Sequence, residues 1–260
     1  MLTYKNVRLI HALLSTTVLI VYLIYGHVQW LYVAMGLALL YLCTLLYGVF
    51  TVKAAFFLTL FNEGSPRDKL IALTFDDGPS QNTHQVMDIL KQYNIKATFF
   101  LIGSKVKENQ EVVQRLVAEG HQLGNHTYHH SKATGFYPVA KLTEELESTR
   151  SVVKQLTGLN MKLYRPPFGV TTPNLAKVVS QLRLNVIGWS VRSFDTTAQP
   201  AEGIIQRVLR QVKPGAVVLL HDDREKCAVL LETIIPHLLN QRYTFATVGE
   251  LFEIEAYEND

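Results

Sequence analysis

Two long apolar runs open the chain. Leu9 to Tyr25 is broken only by His11, Ser15, Thr16 and Thr17, and Trp30 to Phe50 follows after Gly26-His27-Val28-Gln29. Each run is close to the roughly 20 residues that cross a bilayer as a helix. Tyr25, Trp30, Tyr32 and Tyr47 stand near the ends, where aromatic side chains suit the interfacial belts. Neither run has a polar face, which argues against a buried soluble pair. The second run and the lack of a small-residue cleavage site between the two argue against a signal peptide. The pattern predicts a transmembrane hairpin, and apolar Ala54 to Phe61 is expected along the interface beyond it.

After Asn62-Glu63-Gly64-Ser65-Pro66, a linker by composition, the pattern changes. Short apolar runs predict strands at Leu70–Phe75, Ala97–Ile102, Gln122–Asn125, Lys162–Arg165, Asn185–Ser190, Ala216–His221 and Thr244–Thr247. Helical patterns predict helices at Gln81–Tyr93, Gln110–Glu119, Ala140–Leu156, Thr172–Leu182, Ala201–Val212 and Cys227–Asn240. Asn94, Gly120 and Gly158 stand as stop signals, and Thr172-Pro173 as a start. Alternating strands and helices imply a parallel sheet with helices outside it, open or closed as a barrel. The expected division is a hairpin and interfacial segment over 1–61, a linker over 62–68 and a catalytic domain over 69–260.

Composition adds little except by exclusion. A net charge of +3 with no long basic run gives no case for nucleic acid as a partner. The two cysteines, Cys43 and Cys227, are far apart and have no metal-ligand spacing, so no disulfide framework is expected. Lys5 and Arg8 precede the hairpin, Lys53, Arg67 and Lys69 follow it, and the loop inside it has neither Lys nor Arg. The positive-inside rule then places both ends, and the domain, in the cytoplasm.

The chemistry gathers at predicted strand ends. Asp76 and Asp77 follow the first strand, His126 and His130 the third; Arg165 ends the fourth, Trp189 lies near the end of the fifth, and His221 ends the sixth. In a β/α barrel such positions share one mouth. Neighbouring side chains alternate along an extended segment, so Asp76 and Asp77 are expected to point in different directions and do different jobs. His126 and His130, four apart, fall on one face of a helical turn. With Asp77 they make a three-ligand set that suits Zn2+ with open positions; Co2+, Ni2+ or Fe2+ also fit the ligand types. Asp76 is then placed to take a proton from an activated water, and His221 to give one to a leaving group, a hydrolase layout. His129 receives no role, and His84, His121 and His237 read as structural or solvated.

From about Lys69 to Phe252 the chain resembles the polysaccharide deacetylases, carbohydrate esterase family four. Thr74-Phe75-Asp76-Asp77-Gly78 is similar to the family's first motif, which implies Asp76 as base and Asp77 as metal ligand. His126-Thr127-Tyr128-His129-His130 is similar to the second, implying His126 and His130 as ligands. Arg165-Pro166-Pro167-Phe168-Gly169 is similar to the third; the resemblance implies that Arg165 orients the base and the Phe168 N–H helps hold the oxyanion. Leu219-Leu220-His221 is similar to the last, with Leu219 lining the acetate-methyl pocket and His221 as acid. The fourth motif departs. Trp189, counted as substrate-binding, is followed by Arg192 where the family has an aspartate that tunes the acid histidine, leaving Asp195 as the candidate substitute. The implied fold is a distorted (β/α) barrel of about seven parallel strands.

The resemblance implies metal-dependent removal of N-acetyl groups from an amino sugar. A catalytically silent carbohydrate-binding member of the same fold is the alternative that Arg192 suggests. A non-haem iron oxygenase could use two His and a carboxylate, but the paired aspartates and the extra histidine fit hydrolysis better. The expected partners are an N-acetylated sugar and the lipid bilayer. An inward-facing domain would meet a lipid-linked glycan precursor.

Overall fold

The computed structural model describes residues 3–66 and 68–258. Arg67, one of the cations counted after the hairpin, lies outside them. Two helices come first, α1 (Tyr4–Tyr25) and α2 (Gln29–Phe50), each of 22 residues. Thr3 caps α1 through its hydroxyl, and Gly26 ends it at φ 66°, a left-handed conformation that costs glycine little. His11 stacks on Tyr41 at 4.2 Å, so the helices lie antiparallel. Leu, Ile and Tyr side chains of both stand exposed, and both helices are long and apolar enough to cross a membrane.

The strands are β1 (Leu70–Asp76), β2 (Thr98–Leu101), β3 (Gln122–Asn125), β4 (Leu163–Tyr164), β5 (Asn185–Val186), β6 (Val191–Arg192), β7 (Val217–His221) and β8 (Thr244–Ala246). The helices of this part are α3 (Asn82–Gln92), α4 (Gly103–Val106), α5 (Gln110–Ala118), α6 (Val139–Thr157), α7 (Pro173–Gln181), α8 (Ala201–Gln211), α9 (Lys226–Asn240) and α10 (Val248–Phe252). Every strand pair is parallel, in the order β5-β4-β3-β2-β1-β7-β6, with β8 against the first half of β1. This is the distorted (β/α) barrel expected from the sequence, with α4, α10 and β6 in addition.

Alternation along β1 sorts its side chains. Ile71, Leu73 and Phe75 join the core beneath the helices. Ala72 joins the barrel interior with Phe100, Trp189, Val217 and Leu219. Thr74 and Asp76 share that interior face by the period of two, and both are buried.

The strand expected over Asn185–Ser190 is divided. β5 pairs with β4 at one end of the sheet and β6 with β7 at the other. Ile187 to Ser190 crosses between them, with Ile187 N–H donating to Tyr164 O at 2.8 Å and Ser190 N–H to Val217 O at 3.0 Å. Trp189 therefore lies in the crossing, not near a strand end. The 62–68 segment, expected as a linker, makes specific contacts: just after Phe61, which bridges Ile187, Glu63 bridges Ala216, and Gly64 N–H donates to Gly215 O at 2.8 Å. It fills the gap that the crossing leaves between β5 and β7. The segment expected along the interface is also packed, with Phe56 buried against Gly48 and Tyr4.

Candidate active site

Strand register brings the polar residues together. Asp76 pairs with His221 across β1 and β7. His126 N–H donates to Leu101 O at 2.9 Å and Arg165 N–H to Asn125 O at 3.0 Å, which sets both residues at the same end of the barrel. Asp76, Asp77, His126, His130, Trp189 and His221 share one cavity of about 330 Å³. Phe168 and Leu219 also line it, together with Lys132, Arg192, Thr196 and Arg224.

The aspartates do not diverge as alternation predicts. Asp77 adopts φ 72°, which ends the extended strand and turns its carboxylate back to the side that Asp76 faces. Both acids reach His126: its Nε2 is 3.7 Å from Asp76 Oδ2 and 3.6 Å from Asp77 Oδ1. The histidines converge without a helical turn. Residues 126–130 are irregular, and φ values of 67° at Thr127 and 52° at His130 fold the loop so that both rings face Asp77.

Asp77, His126 and His130 offer ligand atoms that all lie within 4.8 Å of one another. His130 Nε2 is 3.3 Å from Asp77 Oδ1. Ligands at zinc distances around a tetrahedral ion stand roughly 3.3–3.6 Å apart, so these spacings fit a divalent cation. His126 Nδ1 is 2.8 Å from Arg165 O; donating there, it leaves Nε2 free as a ligand atom. Asp77 Oδ1 is buried without a hydrogen-bond donor, an orphan that a cation would satisfy. Burial alone would raise the Asp77 pKa, but His126, His130, His221 and Lys105 outweigh it and hold the carboxyl below its ordinary value. Burial, then the charge of His126, pushes His130 down to about 4, so its ring is neutral and able to ligate.

Asp76 is held by Arg165, which is fully buried. Its Nη1 lies 2.8 Å from Asp76 Oδ1 and 2.8 Å from Thr74 Oγ1, and its Nη2 donates to Gly188 O at 2.8 Å. Burial lowers the Arg165 pKa and Asp76 opposes that shift. On the other side, His221 Nδ1 is 2.8 Å from Asp195 Oδ1, and His221 N–H donates to Asp195 Oδ2 at 2.8 Å. Burial would lower the His221 pKa; the hydrogen bond and charge of Asp195 outweigh it and push the imidazole up to about 9. Asp195 thus stands against His221 although Arg192 occupies the earlier position. The Arg192 side chain is exposed, its guanidinium 5.8 Å from the Trp189 ring and 4.8 Å from the Phe194 ring. Phe168 is turned to φ 58° in the Pro167–Gly169 turn and lines the cavity.

Several supporting residues escape the sequence reading. Glu145 on α6 is buried, and its Oε2 accepts the N–H groups of Tyr128 and His129 at 3.0 and 2.9 Å. Its Oε1 is 2.8 Å from His129 Nδ1, which gives His129 a partner, though not a place in the ligand set. Lys105 Nζ donates to Asp77 O at 2.6 Å. Asp222, beside His221, is buried under Gly78, where any Cβ would collide with its carboxylate. Thr83 Oγ1 donates to it, and burial pushes its pKa up to about 7. No spacing in the sequence marks these residues, because each acts across the fold. His121 is buried and accepts from Ala97 N–H, as its structural reading implied.

A parallel barrel with a paired aspartate, two converging histidines, a buried arginine and a histidine–aspartate pair at one mouth defines a class. A family profile described as polysaccharide deacetylase matches residues 63–187. A peptidoglycan-N-acetylglucosamine deacetylase of Bacillus cereus is 37% identical over 71% of this chain and 88% of its own length. The Listeria monocytogenes peptidoglycan-N-acetylglucosamine deacetylase PgdA is 38% identical over 71% of this chain, which spans only 39% of that relative. The crystal structure of the Bc1960 peptidoglycan N-acetylglucosamine deacetylase superposes with a TM-score of 0.72 at 32% identity, covering 76% of this chain and 94% of that one. The chain belongs to the polysaccharide deacetylase family.

Proposed function

We propose that the protein is a metal-dependent hydrolase that removes N-acetyl groups from an amino sugar in a glycan or a lipid-linked glycan precursor. The observation that carries this reading is the convergence of the Asp77–His126–His130 set with Asp76–Arg165 on one side and His221–Asp195 on the other. A divalent cation held by Asp77, His126 and His130, with Zn2+ best suited, would polarise the acetyl carbonyl and lower the pKa of water. Asp76 takes the proton of the attacking water, its carboxylate fixed by Arg165. His221 donates a proton to the departing amine nitrogen, and Asp195 keeps its imidazole charged and oriented. The Phe168 N–H donates to the acetyl oxygen as negative charge builds there, an effect worth roughly 3–4 kcal/mol in comparable sites. Leu219 and Trp189 wall the space for the acetyl methyl. Water and the amide give acetate and a free amine.

The test is acetate release by the full chain from a panel of N-acetylated sugars. Asp76→Asn should keep its metal and lose nearly all hydrolysis; full activity in that variant would sink the mechanism. A catalytically silent role is less favoured, because Asp76, Asp77, His126, His130 and His221 are all present and oriented. We further propose that α1 and α2 span the cell membrane with the barrel on the cytoplasmic side. A periplasmic or extracellular signal from a reporter fused after Asp260 would reverse that orientation.

A further inference from the structure

We propose that the mouth of the barrel rests against a bilayer surface and takes its acetamido sugar from a lipid phosphate embedded there. The chemistry rests on the hydrolytic reading above; the placement rests on how the hairpin meets the barrel.

The hairpin is joined to the mouth end. Thr171 N–H donates to Val49 O at 3.1 Å, and its Oγ1 to Gly48 O at 3.1 Å, both carbonyls in the last turn of α2. Lys53 Nζ donates to Ser190 O at 2.7 Å. Val52 is buried in the same apolar cluster as Trp189 and Leu219, which line the cavity. Thr171 follows the Arg165–Gly169 loop, so its contacts fall on a loop of the mouth, while Lys53 reaches the crossing at Ser190, which is bonded to Val217 lower on β7. Lys69 and Gly215, where β1 and β7 begin, lie at the far end. The end of the second span therefore meets the barrel at the mouth loop that carries Thr171.

An aromatic strip continues from that span. Phe50 closes α2, and its ring is 6.5 Å from that of Phe136. The turn carrying Phe136 packs on Val170, and Phe168 beyond it stands 4.9 Å from the His130 ring. Phe50, Phe136 and Phe168 are 60%, 59% and 49% exposed. Exposed phenylalanines beside the end of a span and beside the cavity suit an interface more than water. Lys132 and Arg192 line the same cavity, and neither has a carboxylate within ion-pair distance among the described residues. An arginine fork and an ammonium at the entrance match a phosphate.

The test uses the full chain in lipid vesicles. A fluorophore at Phe136→Cys, in a Cys43→Ser background with Cys227 buried, should be quenched by spin-labelled lipid carrying its nitroxide near the headgroup. Two probes then report turnover: a prenyl diphospho-N-acetylglucosamine in the vesicles and a soluble N-acetylglucosamine trimer. Phe136→Glu should slow acetate release from the prenyl probe at least tenfold and leave the trimer within twofold. Lys132→Ala with Arg192→Ala should raise KM for the prenyl probe alone. An unquenched fluorophore, or equal losses on the two probes, would overturn the placement while the hydrolytic reading stands. Quenching with no acetate from either probe would overturn the hydrolytic reading, and with it the substrate.

Discussion

Asp195 reaches His221 from three residues beyond Arg192. A left-handed Phe194, at φ 61°, turns the chain inward, and the Ser193 hydroxyl donates to Asp195 Oδ1 at 2.8 Å. The carboxylate is fully buried, so its charge is little screened and acts strongly on the imidazolium. The sign of its effect follows. Asp195 stabilises the protonated ring and lifts its pKa to about 9; removing the charge lets the pKa fall. A reaction that needs protonated His221 then loses rate at lower pH. We expect Asp195→Asn to move the alkaline limb of the pH–rate profile down by more than about one unit, the scale of a lost buried charge partner. The acid limb should stay in place. An unmoved alkaline limb would remove His221 from the acid role. Single residues were the most legible scale: Asp76, Asp77, His126, Arg165 and His221 all converge as their strand-end positions imply. The substitution of Asp195 for Arg192 was legible as a candidate but not as geometry, because it depends on one positive φ.

Elements were legible where periodicity governs and not where a loop leaves it. β1 keeps its alternation to Asp76, so Thr74 and Asp76 share the face that Arg165 meets. One residue later Asp77 breaks the alternation, and the expected divergence becomes convergence. The four-residue spacing of His126 and His130 predicts two rings on one helical face; the rings do face Asp77 together, but from an irregular loop. A single turn leaves its N–H groups without local acceptors. This loop instead gives two of them to Glu145, a partner on α6 that local spacing does not reveal. A buried carboxylate bound to two N–H groups and a ring nitrogen fixes the loop and hence the ligand rings. Such outer partners are commonly worth about 10–100-fold in metal affinity. Glu145→Ala should weaken metal binding by that order in a competition titration. Glu145→Gln, which keeps an acceptor oxygen, should recover part of it. Equal affinity in all three proteins would show that the loop holds its shape alone.

At the scale of the whole molecule, two irregular pieces complete the barrel wall, one expected as the end of a strand and the other at the join of the interfacial segment and the linker. One is the crossing from β5 to β6, four residues that link opposite ends of the sheet. The other is residues 61–64, which bridge Ile187 on one side and Ala216 on the other. Asn62-Glu63-Gly64 reads as a linker because it offers no apolar side chain to pack, yet the bonds are made by backbone. Both bridges are made by residues that precede the expected boundary at residue 69. A chain beginning at Lys69 would lose the pairing at Phe61 and Glu63, along with buried Val52 and half-buried Leu60 and Phe61. Apolar burial of that kind is worth roughly 3–6 kcal/mol in all, a large share of the roughly 5–15 kcal/mol that holds a domain together. A chain beginning at Thr51 keeps every one of these contacts and omits only the two long helices. We expect the shorter chain to melt roughly 10–20 °C below the longer one, given about 2–4 °C per kcal/mol for a domain of this size. Circular dichroism on the two soluble chains decides it. Equal melting temperatures would make residues 61–64 a tether lying on a barrel complete without them, and lower melting would make them part of the wall.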